Sequence, residues 1–440
     1  MNRQRLAVAV LDIGTTGVRC LVGRIMENGT PKIIAKAEYN IPGGINLQDE
    51  NGEDALSKSV SAILKTILGK TGIEVKSCYV SISNRHVHMV SSSGEVEVIP
   101  RGAISDKTVG NALNNASAVN LQSNECLIDL VPLGFYADGV FLTGKPEGTV
   151  CQTFSLDANA VLADTAVTEK ITRVMKELDV RVDGFIPVFL SNQKIFDNSA
   201  FSYAKAKQCF TVIADVGGEV TDVSVYYNLI PFAFGTIDIG GNDVTRDISM
   251  NLDLTENQAQ RIKMDLSTVS KEDDDLTAKK IAEENIDSEK VLEIMKSKVA
   301  EIANAVYMAA SDAMHESGIA KPIINKIFFI GDGMVSFEGV NDILNDSVAM
   351  GNCEVLNKGK DLGIKNSFSN ALGMLLYISS RMKYGRLPSL ILNRNETEPT
   401  AAEIKASEES GFFTDLFAKI KAFFKKIGDS IKETIDKLKS

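Results

Sequence analysis

The first strong hydrophobic pattern in the chain is an almost unbroken apolar run, Leu6 to Leu11, that stops at Asp12. A Gly/Thr turn follows, and Val18 to Met26 forms a second apolar segment. Continuous apolar runs closed by turn residues predict a strand buried on both faces, a tight hairpin and a partner strand. The arrangement returns at Phe210 to Ala214, which leads into Asp215-Val216-Gly217-Gly218 and resumes at Val220 to Tyr227. This recurrence predicts a duplicated α/β unit. Elsewhere the apolar spacing changes to three and four: Glu53 to Leu68, Asp164 to Leu178 and Val291 to Ser317 predict helices. Asp164 is placed as an N-cap of the second, and Gly318 stops the third. Cys78 to Ser83 and Ile323 to Ile330 predict further buried strands, the latter running into Gly331-Asp332-Gly333. Hairpins alternating with helices predict layered α/β lobes rather than a bundle or sandwich.

Residues 85–165 read differently, with strands at Val87 to Ile99 and Cys126 to Tyr136 around one helix near Ser105 to Val119. They predict a small inserted α+β module. The expected organisation is a first lobe from 1–84 and 166–209 with part of 376–392, the insertion at 85–165, a second lobe with its core at 210–238 and 323–375 and a subdomain at 239–322, a polar linker at 393–410 and a terminal helix at 411–440. The linker lacks the apolar periodicity a core requires.

That terminal helix is the most legible segment. Phe412, Phe413, Leu416, Phe417, Ile420, Phe423, Phe424 and Ile427 form one stripe at spacings of three and four, which Ile431, Ile435 and Leu438 continue. Lys421, Lys425 and Lys426 lie among seven lysines on the other faces; against four carboxylates they give this segment a net +3, leaving −14 on the rest of a chain that carries −11 overall. An aromatic, lysine-rich stripe behind a polar tether predicts a helix lying on an anionic membrane surface, ahead of packing on its own domain or a coiled coil. Full burial of a Phe, Leu or Ile contributes roughly 1.5–3 kcal/mol and a lysine near anionic lipid about 1 kcal/mol, of which helix formation takes back a large part. A lone subunit is therefore expected to bind reversibly, and an assembly presenting many tails to hold firmly.

With 440 residues the chain supports two or three compact units. Its acidic balance argues against a nucleic-acid partner. Six cysteines without a CxxC pair suit a reducing compartment. The start, MNRQRLAVAVLDIG, meets Asp12 too early and lacks a cleavage site for a signal peptide, so a cytoplasmic location is expected. No apolar run reaches the ~18 residues needed to span a bilayer. His86 and His88 sit two apart on an expected strand, without a third ligand nearby, and read as solvated. His315 stands alone late in a helix, and Glu272 to Asp275 reads as a solvent loop.

The candidate chemistry lies at the strand ends. Asp12, Gly14, Thr15 and Thr16 put a carboxylate beside a turn rich in donors, a geometry that cradles phosphates. Asp215, Gly217, Gly218 and Thr221 repeat it, so a triphosphate would be gripped between two turns, with Asp12 and Asp215 organising Mg²⁺ through water. Gly240 and Gly241 precede a helical pattern whose first N–H groups are expected to aim at phosphate, and Gly331 and Gly333 are expected to let backbone approach a flat base. Each element alone matches an ordinary hairpin or helix start. Their pairing in order is the specific signal.

These four elements resemble the nucleotide-binding folds of the actin, sugar kinase and Hsp70 superfamily. Within it, LDIGTTGVRCLVG, DVGGEVTDVSVY, GGNDVTRDISMNLDL, the module at 85–165 and the terminal helix resemble the FtsA family of bacterial cell-division proteins. Pilus-assembly proteins of the PilM type are similar through the lobes but generally lack such a tail. The resemblance implies a two-lobed actin-like (duplicated RNase H-like) fold, bound ATP and Mg²⁺, and self-association. It also implies the tubulin-like partner FtsZ with other division proteins, and a place on the cytoplasmic side of the cell membrane at the division site. A structural adaptor, at most a weak ATPase, is the expected role; a PilM-type pilus or secretion adaptor and an active ATPase or kinase are the competing readings. Three positions depart from the family's pattern: Glu219 stands where glycine is usual, the base loop reads Gly331-Asp332-Gly333-Met334, and the helix motif becomes Ala259-Gln260-Arg261-Ile262-Lys263, with Lys263 a remaining nucleotide contact.

Overall fold

The computed structural model describes residues 7–26, 30–41, 44, 45, 47, 49, 51–195, 210–227, 230–268, 286–319, 323–335, 337–349, 351–356 and 365–383. The linker and terminal helix expected at 393–410 and 411–440, including every residue expected to face a membrane, lie outside the described residues.

The chain opens with strands β1 (Ala7–Gly14), β2 (Gly17–Ile25) and β3 (Pro31–Asn40), followed by helix α1 (Gly52–Thr71) and β4 (Ser77–Ile82). The expected hairpin is present, with β1 and β2 antiparallel and Asp12 opposite Arg19. β3 has no counterpart in the apolar runs, because its residues alternate between buried and exposed at a sheet edge. α1 buries Leu56, Val60, Ile63 and Ile67, a stripe at helical spacing, and ends where Gly72 turns left-handed at φ 70° and returns its N–H to the Leu68 carbonyl.

The insertion follows: β5 (Val87–Ala103), α2 (Asp106–Ala116), β6 (Glu125–Ala137), β7 (Val140–Phe141) and β8 (Val150–Asp164). Its antiparallel sheet runs β5-β8-β6-β7, and α2 is capped by reciprocal bonds between Ser105 and Thr108. The module has its own core of Ile104, Val109, Ala112, Phe154 and Leu156 among others. The chain then re-enters the first lobe through α3 (Thr165–Glu177), whose first turn is capped by Asp164, then β9 (Arg181–Pro187) and α4 (Val188–Ile195).

The second lobe repeats the first. β10 (Phe210–Val216), β11 (Thr221–Tyr227) and β12 (Ile230–Ile237) lead into helices α5 (Gly241–Leu252), α6 (Glu256–Thr268) and α7 (Ser288–Glu316), then β13 (Ile324–Ile330), α8 (Val340–Ser347) and β14 (Cys353–Val355). The sheets run β3-β2-β1-β4-β9 and β12-β11-β10-β13-β14, the same order of hairpin and parallel strands. α5, α6 and α7 share one continuous apolar cluster with the second sheet, so the stretch expected as a subdomain at 239–322 has no core of its own among the described residues.

The last described helix, α9 (Ser369–Lys383), crosses back to the first lobe. The domain boundary expected at 375/376 falls inside it: Phe368, Ala371, Leu372, Met374, Leu375, Tyr377 and Ile378 all belong to the first lobe's core. α9 also ties the insertion down, because Asp129 on β6 is buried and accepts hydrogen bonds from Tyr377 and Arg381.

Candidate functional site: the cleft between the lobes

Both hairpin turns open into one cleft of about 650 Å³, a size typical of small-ligand sites (roughly 300–1,000 Å³). Of the expected site residues, Asp12, Gly14, Thr15, Thr16, Asp215, Gly217, Gly218, Gly241, Lys263, Gly331 and Gly333 line it. Thr221 and Gly240 do not. The buried Thr221 hydroxyl donates instead to the Ile239 carbonyl at 2.7 Å, joining β11 to the start of α5.

The two aspartates face each other closely enough for their charges to interact. Burial holds the Asp12 carboxyl above its ordinary range, opposed by the Arg19 guanidinium and by hydrogen bonds involving Asn370 and Ser81; Asn370 Nδ2 donates to Asp12 at 2.7 Å. Asp215 is pushed up to about 8, first by burial, then by the negative charges of Asp12 and Asp222, with Arg19 opposing. Asp222, opposite Asp215 in the hairpin, is raised to about 6 by burial. Its carboxylate is committed to the lobe junction, accepting from Ser83 Oγ (2.9 Å), the Asn84 N–H (3.2 Å) and Thr236 Oγ1 (2.5 Å).

The helix that was expected to offer free N–H groups has used them. Gly241 and Asn242 donate to the carbonyls of Gly217 and Gly218 at 2.9 and 2.8 Å, and Gly240 donates to its own cap, Asp243. The α5 N-terminus therefore braces the second turn rather than pointing into the cleft. Gly331 and Gly333 likewise serve close backbone packing: a Cβ on Gly333 would lie 1.9 Å from the Gly217 carbonyl oxygen, and Gly331 adopts φ +91° against Val216. The three glycine loops form one stacked unit. Thr16 caps it from the first lobe, 2.0 Å from where a Cβ on Gly218 would sit.

Glu219 is turned aside and neutralised. Its carboxylate accepts from Asn242 Nδ2 at 2.6 Å and pairs with Arg246 at 3.2 Å, so the repulsion expected beside phosphates is largely offset. Lys263 is buried and donates to the Gly241 carbonyl (2.8 Å) and Thr245 Oγ1 (2.7 Å); burial lowers it to about 8, with the charge of Asp332 opposing. Arg19, Asn370 and Arg246 were not read from the sequence as site residues. Only Arg19 had a usable signal there, its place opposite Asp12 across the expected hairpin.

His86 falls in a short 3₁₀ turn (Asn84–His86) rather than on the strand expected, while His88 on β5 lies 3.2 Å from Glu125.

The cleft suits a nucleotide in three respects. It has the room, its turns come from both lobes, and the Nε of the buried Arg19 has no acceptor among the described residues. Its charge sets a condition. The lining carries six carboxyl side chains (Asp12, Asp215, Glu219, Asp222, Glu256 and Asp332) against three basic ones, Arg19, Arg246 and Lys263, so a bare polyphosphate would meet an acidic lining that a divalent cation would offset. Among the described residues no three His, Cys, Asp or Glu side chains cluster to enclose a metal. A cation here would be held mainly by water and ligand oxygens, which Mg²⁺ tolerates.

Two hairpin-led sheets of identical strand order, facing across a polar cleft with an α+β module inserted in the first lobe, define a two-lobed actin-like protein. Residues 212–373 match the family model described as cell division protein FtsA, and residues 84–162 match the SHS2 domain inserted in FtsA, together more than half of the sequence. The chain belongs to the FtsA family. It is 21% identical to the cell division protein FtsA of Borreliella burgdorferi over 398 residues, covering 87% of this chain and 93% of that protein. It is 21% identical to that of Neisseria meningitidis over 405 residues, covering 88% and 93%. Among solved structures, a PilM-PilN type IV pilus biogenesis complex shares the fold with a TM-score of 0.56 at 15% identity, covering 84% of this chain and 98% of the matched one.

Proposed function

We propose that this protein is a nucleotide-responsive adaptor of cell division: it binds ATP with Mg²⁺ in the interlobe cleft and self-associates. It holds the tubulin-like protein FtsZ, with other division proteins, against the cytoplasmic side of the cell membrane at the division site. The observation that carries the reading is the opposed pair Asp12 and Asp215, each at the end of a buried strand from a different lobe and each lining the same cleft. Two buried carboxylates that resist joint ionisation favour a divalent cation between themselves and an anion. Bound Mg²⁺ would neutralise phosphate charge, while Arg19 would meet phosphate oxygen and Asn370 would keep Asp12 oriented. Catalytic turnover is not part of the proposal; Lys263 is committed to the α5 turn.

Family membership supports the division role, and the aromatic, lysine-rich sequence of 411–440 supports membrane attachment. The test is vesicle flotation of the full chain and of a chain ending at Ser410, with and without MgATP. The full chain is expected to float on anionic vesicles, more so with MgATP, and the shortened chain to stay in the soluble fraction. Equal flotation of both would remove the tail from the account. In parallel, ATP without Mg²⁺ is expected to bind about tenfold or more weakly than MgATP. The structural match to a PilM-containing complex supports a second reading, a pilus adaptor; co-purification with pilus components in place of a tubulin-like protein would favour it.

A further inference from the structure

The base loop carries a charge that the rest of the cleft does not require. Asp332 projects from a backbone fixed on both sides: the Gly333 N–H donates to the Val216 carbonyl at 2.9 Å, and Asn366 Nδ2 donates to the Gly331 carbonyl at 2.9 Å. Its side chain is 50% exposed and lies 3.7 Å from Arg19 Nη2 across the cleft. Arg19 itself is 7% exposed; its Nη1 donates to the Gly17 carbonyl at 3.4 Å, and its Nε has no acceptor among the described residues. A guanidinium offers five donors in a fixed fork. The same carboxylate also acts on Lys263, partly offsetting the effect of that side chain's burial. Asp332 is thus the half-exposed counter-charge to two buried cations from opposite lobes.

We propose that Asp332 is a built-in competitor for the anionic part of the cleft's ligand, occupying Arg19 until phosphate oxygens displace it, and so sets the nucleotide affinity of this chain. This rests on the nucleotide-binding reading above and goes beyond it by naming the residue that tunes it. The geometry favours displacement: the Arg19 fork is held in place by burial, whereas the carboxylate is half exposed and free to turn towards water. Its loop cannot follow, so the negative charge stays near the phosphates after displacement. The competitor therefore weakens binding even when it has given way.

The experiment is calorimetric titration of the full-length protein with MgATP in the wild type and in Asp332→Asn, Asp332→Ser and Asp332→Glu. The two neutral variants are expected to bind about tenfold more tightly, the scale of removing one partly screened charge near an anion, and the Glu variant to bind like the wild type. Weaker binding by Asp332→Asn would make the carboxylate a contributor to binding and overturn the proposal. A gain shared by Asp332→Glu would assign the effect to shape rather than charge and overturn it as well. Equal, measurable affinity in all four proteins would sink the proposal while leaving the nucleotide reading intact. No binding by any of them would sink both.

Discussion

The two lobes share a backbone plan and differ in the charge they bring to the cleft. In each, an aspartate ends the inner strand of a hairpin, but the residue facing it across the ladder is Arg19 in the first lobe and Asp222 in the second. The first lobe supplies its aspartate with a counter-charge on the adjacent strand. The second opposes like with like, and Asp222 is held apart only because Ser83, Asn84 and Thr236 draw its carboxylate into the lobe junction. The turns differ too: the second packs backbone to backbone against α5 and the base loop, whereas the first accepts hydrogen bonds from the N–H groups of Ile41 and Ile45 at the Thr16 and Thr15 carbonyls. Duplication has preserved strand order, while side chains and loop packing have become specialised. One half pairs its strand-end aspartate with an arginine, and the other carries a rigid stack of loops.

The contrast breaks most sharply at the glycines. Gly333→Ala places a methyl 1.9 Å from a carbonyl oxygen in a stack that cannot part, and is expected to lower stability by roughly 3 kcal/mol or more. Gly14→Ala in the first lobe meets its nearest neighbours at 3.2 Å, one of them the end of the Arg19 side chain, and is expected to cost about 1 kcal/mol or less. Thermal melts of the two variants measure the difference; equal losses would mean that the turns are packed alike.

The next effect is electrostatic. With Asp215 near 8 in the fold against 3.8 when free, the folded protein keeps a proton that the unfolded chain releases between these values. Stability from this group is therefore greatest at low pH and declines as pH rises towards 8. Asp222 adds to the decline up to about 6. Lys263, at about 8 in place of 10.5, works in the opposite direction above pH 8, where the fold no longer holds a buried charge. Asp215→Asn is accordingly expected to raise ligand-free stability at pH 8–9 by about 1–3 kcal/mol and by roughly a third of that at pH 5. Asp12→Asn is expected to gain less, because the Arg19 charge and hydrogen bonds involving Asn370 and Ser81 already favour the ionised Asp12. Melting curves across pH 5–9 for both variants would test the asymmetry, and an equal gain would erase it.

The smallest effect is at the lobe junction. Arg85 pairs with Asp238 across it, but both side chains are substantially exposed, so Arg85→Ala is expected to cost less than about 1 kcal/mol, and less still at high salt. A larger loss in a salt-dependent melt would show that the junction relies on surface charge rather than on the buried Asn84 and Asp222 bonds.

What could be read from the sequence was whatever local pattern encodes. The buried hairpins, the helix capped at Asp164, the helix near Ser105, the duplicated unit and the inserted module all follow from period, turn chemistry and capping, which act over a few residues. The same local signals placed the opposed aspartates correctly at two strand ends. Tertiary structure decided everything that depended on what those ends met. It brought Asn370 onto Asp12 from 358 positions away, bonded the Asp222 carboxylate to Asn84 and turned Glu219 onto Arg246. It also spent the α5 amides on a neighbouring turn and gave α9 to the first lobe's core. Hydrogen bonds and charge pairs are satisfied by whichever groups the completed fold brings within about 3 Å, and separation along the chain carries little information about that distance.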